Sequence, residues 1–226
     1  MRVIFNEEMK AVADDLDHMA QNVRKAIRGA GEALLGTNVE AAQAVIDGDA
    51  ELDALQESVV DQCVKLLAKQ NPVATDLRVV VSTMRLAITF ERMGDLAKHV
   101  AEASRRAYPA SPLPEEAKNA FTQMQEFLDE TSDNMVAMLA DRDAKTAERV
   151  ILDDDKIDEL HKQTFELALD DNVEMTRQQI IDIVLLGRFL ERLGDHAVSA
   201  ARQVVFIVSG FDPSKNPGPD KEGMTE

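Results

Sequence analysis

Apolar residues near the start of the chain fall at Phe5, Met9, Val12, Leu16, Met19, Val23 and Ile27, steps of three and four that predict one long amphipathic helix closing near Gly36. Asn38 is the natural cap of a second helix, in which Val45, Leu52, Val59 and Leu66 recur at a spacing of seven, joined by Leu55 and Cys63. Asn71-Pro72 ends it, because proline cannot continue a helical hydrogen-bond ladder. A third helix is expected from about Thr75 to Arg106. Its residues 79–90 carry one charge, Arg85, a texture that argues for burial on more than one face.

Tyr108-Pro109-Ala110-Ser111-Pro112-Leu113-Pro114 then interrupts any helix, and beyond it the same order of events recurs. A helix passes through Phe121, Met124, Leu128, Met135 and Met138, another through Val150, Ile157, Leu160, Thr164 and Leu167, and a last one runs from about Thr176 to Ser209. In that last helix residues 180–190 are apolar apart from Asp182 and Arg188, repeating the texture of the third. Helices this long must bury their stripes against neighbours. The expectation is an all-α chain, a tandem repeat of two three-helix bundles made of six long antiparallel helices. The first bundle is placed at residues 1–108, a proline-rich linker at 109–114, the second bundle at 115–209 and a disordered tail at 210–226.

Composition agrees, with 45% hydrophobic residues, 4% aromatics, no tryptophan and few strand formers. The net charge of −17 is unevenly spread: residues 1–109 hold 17 acids against 13 bases, whereas the rest holds 25 against 12. A field of that sign repels nucleic acid and anionic lipid, so cations or basic protein surfaces are the better partners. Cys63 is the only cysteine, which excludes an internal disulfide and a thiolate metal cluster. Early acids (Glu7, Glu8, Asp14, Asp15) stand where a signal peptide needs an apolar core, and no run of apolar residues is long enough to span a bilayer. A cytoplasmic protein without membrane insertion is expected. The apolar end at residues 204–208 suggests a homodimer.

The candidate chemistry lies in acids that recur with the repeat. Glu91-Arg92-Met93-Gly94-Asp95 and Glu191-Arg192-Leu193-Gly194-Asp195 match at four of five positions, displaced by 100 residues. The preceding helix of each module repeats a second pair, Asp49 with Asp53 and Asp154 with Asp158. Spacing i, i+4 puts both carboxylates on one helix face, and two antiparallel helices can bring four together. Chance alone supplies about 8 such pairs at this acid content, so the weight rests on the paired recurrence. Like charges drawn out of water need a counter-cation. Arg92 and Arg192 are one source, as salt-bridge partners or as contacts for another protein; a hard metal ion held by carboxylate oxygens is the other. His99 and His196 have no counterpart in the other module and read as ordinary surface histidines, and the Glu-x-x-His signature of di-iron bundles is missing. Gly94 and Gly194, unfavourable inside a helix, mark a close approach by a neighbouring helix, an ion or a partner.

At these residues, and at Pro72-Val-Ala-Thr-Asp-Leu-Arg78 opening the third helix, the chain resembles the PhoU family of phosphate-signalling proteins, over roughly residues 4–209. The family consists of tandem three-helix bundles with paired E(D)xxxD motifs. The resemblance implies metal ligands at Asp49, Asp53, Glu91 and Asp95 and at Asp154, Asp158, Glu191 and Asp195, taking iron, manganese, zinc or magnesium. It also implies a non-catalytic cytosolic adaptor, peripheral to the inner membrane face, between the ATPase subunit of a phosphate ABC transporter and a sensor histidine kinase. Such an adaptor represses phosphate-starvation genes. A carboxylate-metal enzyme and a purely structural helical scaffold are the alternatives. This chain departs from a strict repeat at Ile88, whose counterpart is Arg188, and in the unequal acidity of its halves.

Overall fold

The computed structural model describes residues 2–210, with side chains from Phe5 onward. Seven helices account for nearly all of it, with no strand among the described residues. They are α1 (Arg2–Gly36), α2 (Val39–Gln70), α3 (Ala74–Ala107), α4 (Lys118–Ala140), α5 (Ala144–Leu152), α6 (Asp155–Ala168) and α7 (Arg177–Ser209), with one 3₁₀ turn at Glu115–Ala117. Asn38 does cap α2, its side chain accepting from the Ala41 amide. A capping box opens α7, in which Thr176 and Gln179 satisfy each other's backbone amides.

Six helices were expected, and the fifth is present but kinked at Asp153-Asp154, so that α5 and α6 share its place. Both residues keep right-handed helical angles, while the amides of Lys156 and Ile157 bond three residues back instead of four. The cause is local: Asp153, Asp154 and Asp155 are consecutive acids, poor helix formers that repel one another and sit best at a helix N-terminus. The kink gives them one.

α1, α2 and α3 pack as one three-helix bundle, and α4, α5/α6 and α7 as the second. The bundles share one continuous core, because α1 packs on α4 and α3 on α7. Each of these helices thus meets its own counterpart, as about an approximate two-fold axis. The buried positions Val12, Leu16, Met19 and Val23 correspond, 105 residues on, to Ala117, Phe121, Met124 and Leu128, the displacement that also separates Asp49 from Asp154. At the α3–α7 seam Arg106 bonds the buried Asp182, and at its other end Arg78 donates to the Ile207 carbonyl at 3.1 Å and lies over the Phe206 ring.

In the apolar run at 204–208, Val204 and Val205 are in the core, Phe206 and Ile207 are half-buried and Val208 is exposed. The tail beyond Gly210 lies outside the described residues. Cys63 is fully buried, and burial pushes its thiol up to about 11. No helix among the described residues is long and apolar enough to cross a membrane.

Candidate functional site

The outer helices of the two bundles, α2 and α6, each lie against the helix carrying the repeated pentapeptide. Gly94 is what lets α2 come close: a Cβ there would stand 2.2 Å from Leu52 Cδ2 and 4.0 Å from Asp49 Oδ1. Gly194 plays the same part toward Ile157 Cγ2, at 2.9 Å, and Asp154 Oδ1, at 3.9 Å. The repeated glycine therefore serves a neighbouring helix, and in both modules it faces the first acid of the α2 or α6 pair.

In the first site Asp49 is buried, Asp53 is exposed, and Glu91 and Asp95 are partly buried. The four carboxylates feel one another. Burial first, then Asp95, with Asp53 and Asp49 adding, pushes Glu91 above the ordinary carboxylate range, while Arg92 pulls it back. Burial followed by Asp49 and Asp95 does the same to Asp53 against Lys98. The cations are internal. Arg92 stands 3.5 Å from both Glu91 and Asp95, and the Lys98 ammonium donates a short bond to Asp49.

The second site has the same acids in a different setting. Asp154 and Asp158 are partly buried, Asp195 is exposed, and Glu191 is only 7% exposed. Arg188 donates to one Glu191 oxygen, Oε1, whereas Oε2 is buried without a partner, as is Asp154 Oδ1. Burial, then Asp195, raises the Glu191 carboxyl against the pull of Arg188; burial, then Asp158 and Asp195, raises that of Asp154. Arg192, unlike Arg92, carries no hydrogen bond or ion pair among the described residues, and the partners of Arg92, Glu91 and Asp95, lie on its own helix.

Lys98 and His161, to which the repeat gives no pointer, and Arg188, its departure opposite Ile88, shape these sites. Lys98 and Arg188 supply the closest counter-charges, and His161 lies on the inward face of α6 with its Nε2 buried and unpartnered. Burial and Arg188 push the His161 imidazole below its ordinary value, against Asp158 and Asp195. For His161 the sequence holds a signal, since Asp158-Glu-Leu-His161 keeps the Glu-x-x-His spacing with aspartate in the first place. Among the described residues no three histidine, cysteine or acidic side chains converge into a set that would hold a metal ion as they stand. In donor type and in its unpartnered buried oxygens, the second site fits a cation better than the first.

Comparison with known proteins bears on the whole chain. A family model described as the PhoU domain matches twice, over residues 16–104 and 121–204. A Mycobacterium tuberculosis protein named phosphate-specific transport system accessory protein PhoU homolog 1 is 34% identical over 216 residues, covering 96% of this chain and 98% of that protein. The crystal structure of PhoU from Pseudomonas aeruginosa is similar at a TM-score of 0.84 and 26% identity, across 92% of this chain and 100% of that one. The phosphate transport system regulatory protein PhoU from Streptococcus pneumoniae, at 23% identity and a TM-score of 0.79 over 92% of this chain and 98% of that one, shares the fold.

Proposed function

This chain belongs to the PhoU family, and on that premise we propose that it is a non-catalytic regulator of phosphate uptake and of the phosphate-starvation response. It acts at the cytoplasmic face as an adaptor between the ATPase subunit of a phosphate transporter and a sensor histidine kinase. The observation that carries the reading is the duplicated site itself. Two acidic helix pairs, α2/α3 and α6/α7, are displayed on the outside of one rigid helical body whose centre is filled by packed side chains. Such a body presents charge to partners, and a pocket between α1 and α2 reaches Asp49 and Gly94 of the first site. The accessory-protein names of the relatives support the same side of the choice.

Asp49, Asp53, Glu91 and Asp95 would hold a metal in the first site and Asp154, Asp158, Glu191 and Asp195 in the second. A bound ion would supply positive charge to neutralise the acids and to bridge the two helices or a partner's carboxylate. Deleting the gene should derepress phosphate uptake in phosphate-rich medium, and the wild-type gene supplied in trans should restore repression. Unchanged uptake in the deletion strain would refute the regulatory role.

A further inference from the structure

We propose that the groove between α1 and α2 is a binding site for a small organic phosphate of nucleotide size, whose phosphate is held by Lys25 and Asn22. Binding there requires neither the metal nor the adaptor role proposed above.

The groove exists because the side chains that face one another across it are small. Gly29 lets α1 approach α2, since a Cβ there would stand 2.7 Å from Val45 Cγ2, whereas at Gly48, three residues along α2, an added Cβ would meet nothing within 4 Å. The cavity left between the helices has a volume of about 720 Å³, with apolar walls from Ala26, Ala41, Val45 and Leu52. Sites for small molecules occupy about 300–1,000 Å³. A metal ion or a bare phosphate would leave most of this one empty.

The polar lining has one unmet demand. Its acids are answered: Lys98 is bonded to Asp49, His18 Nε2 lies 3.5 Å from Glu51 Oε1, and the Asn38 amide donates to Glu32. Arg24 and Arg28 are held across the module seam by Asp133. Lys25, by contrast, is exposed and has no hydrogen bond or ion pair among the described residues, and the amide nitrogen of Asn22 is buried without a partner. Buried donors are rarely left unpaired. Asn22 and Lys25 stand three residues apart on one face of α1, and both offer N–H groups, so an acceptor completes them. Turned into the groove, the ammonium and the amide suit the oxygens of a phosphate, the stronger bond being the charge-assisted one from Lys25. Residues 18–31 carry Arg24, Lys25 and Arg28 and no acid, so an anion at this wall meets positive charge first. Salt screens the more distant acids beyond about 8 Å.

The equivalent groove of the second module, between α4 and α6, has the opposite character. At a displacement of 105 residues Gln21 becomes Glu126, Asn22 becomes Phe127 and Lys25 becomes Glu130, and all three replacements line that groove. Its acids repel a phosphate, which makes it an internal control.

The full chain is titrated by calorimetry with ADP, ribose 5-phosphate, adenosine and citrate, with chelator present so that no metal contributes and circular dichroism confirming that each variant stays folded. Wild type should bind ADP at one site per chain, and adenosine, which lacks the phosphates, at least about tenfold more weakly. Lys25→Glu should weaken ADP by about tenfold or more and Asn22→Leu several-fold. Gly48→Leu, which grows a side chain into the open space, should abolish binding, while Glu130→Gln in the second groove should leave it unchanged. If wild type takes up neither ADP nor ribose 5-phosphate at millimolar concentration, there is no such site. Equal ADP affinity in wild type, Lys25→Glu and Gly48→Leu would overturn its location, and adenosine or citrate bound as tightly as ADP would overturn the assignment to a phosphate.

Discussion

Arg28 of α1 and Asp133 of α4 stand at equivalent positions of the two modules, 105 residues apart, and are bonded to each other, Nη2 to Oδ2 at 2.6 Å. A duplicated chain folded about an approximate two-fold sets equivalent residues face to face, so identical charges there would repel. Opposite signs turn that repulsion into an attraction that ties the modules together. Arg24 adds a second bond to Asp133 at 3.3 Å, and its own counterpart is the acid Asp129.

Reversing one charge should therefore destabilise, and reversing both should restore. With both side chains about half exposed, Arg28→Asp is expected to cost about 1 kcal/mol, near the upper end for surface pairs, and Arg28→Asp with Asp133→Arg should recover most of it. Thermal melts at low salt measure the cycle, and about 1 kcal/mol corresponds to about 2–4 °C in a chain of this length. Additive losses in the double variant would refute the coupling.

The glycines separate by what surrounds them. At Gly48, inside α2, an added Cβ would meet nothing within 4 Å, so Gly48→Ala should stabilise by about 0.5–1 kcal/mol through helix propensity alone. At Gly94 the same change drives a methyl into the buried Leu52 at 2.2 Å. Overpacking of about 1–3 kcal/mol should then exceed the propensity gain. Denaturant melts should move the two variants in opposite directions.

What was legible in the sequence follows from the range of each force. Helix periodicity and caps are local, so the stripe from Phe5 to Ile27, the Asn38 cap and the Thr176 start could be read directly. The recurrence of Glu91 and Asp95 at Glu191 and Asp195 was equally plain, and it located both acidic sites. The kink was missed because three consecutive aspartates matter only when weighed against the apolar heptads around them. Lys98 and His161 were missed because their roles depend on which face meets the neighbouring helix, a tertiary fact, whereas Arg188 stood out as the departure opposite Ile88. The bond between Arg28 and Asp133 required knowing that α1 packs on α4.

Glu191 should make the ion-free protein sensitive to pH in a definite direction. Burial, then Asp195, raises its folded carboxyl above the unfolded value near 4, so below that value the group favours neither state. As pH rises the unfolded chain ionises first, and stability falls until the folded carboxyl has also lost its proton. With chelator present, wild type should lose thermal stability from this group as pH rises above about 4. Glu191→Gln should flatten that slope and melt higher at pH 7. An unchanged slope would show that Glu191 ionises without hindrance.

Lys98 should act in the opposite range. Its bond to Asp49 raises the ammonium above the ordinary value near 10.5, so the stabilisation is fully present below that value and is lost as pH rises through the raised one. Lys98→Val copies the second module and leaves Asp49, whose side chain is 8% exposed, among other carboxylates with no cation bonded to it. Lys98 is itself 30% exposed and rehydrates easily in the unfolded state, so the loss should be about 1–3 kcal/mol, short of that for a fully buried pair. Adding Asp49→Asn should return part of that stability, because the stranded charge is what costs most. The Lys98→Val variant should also lack the decline of wild type as pH rises above about 10.5, as followed by melts on the alkaline side. If its decline matches wild type, the ammonium is not held by Asp49 in solution.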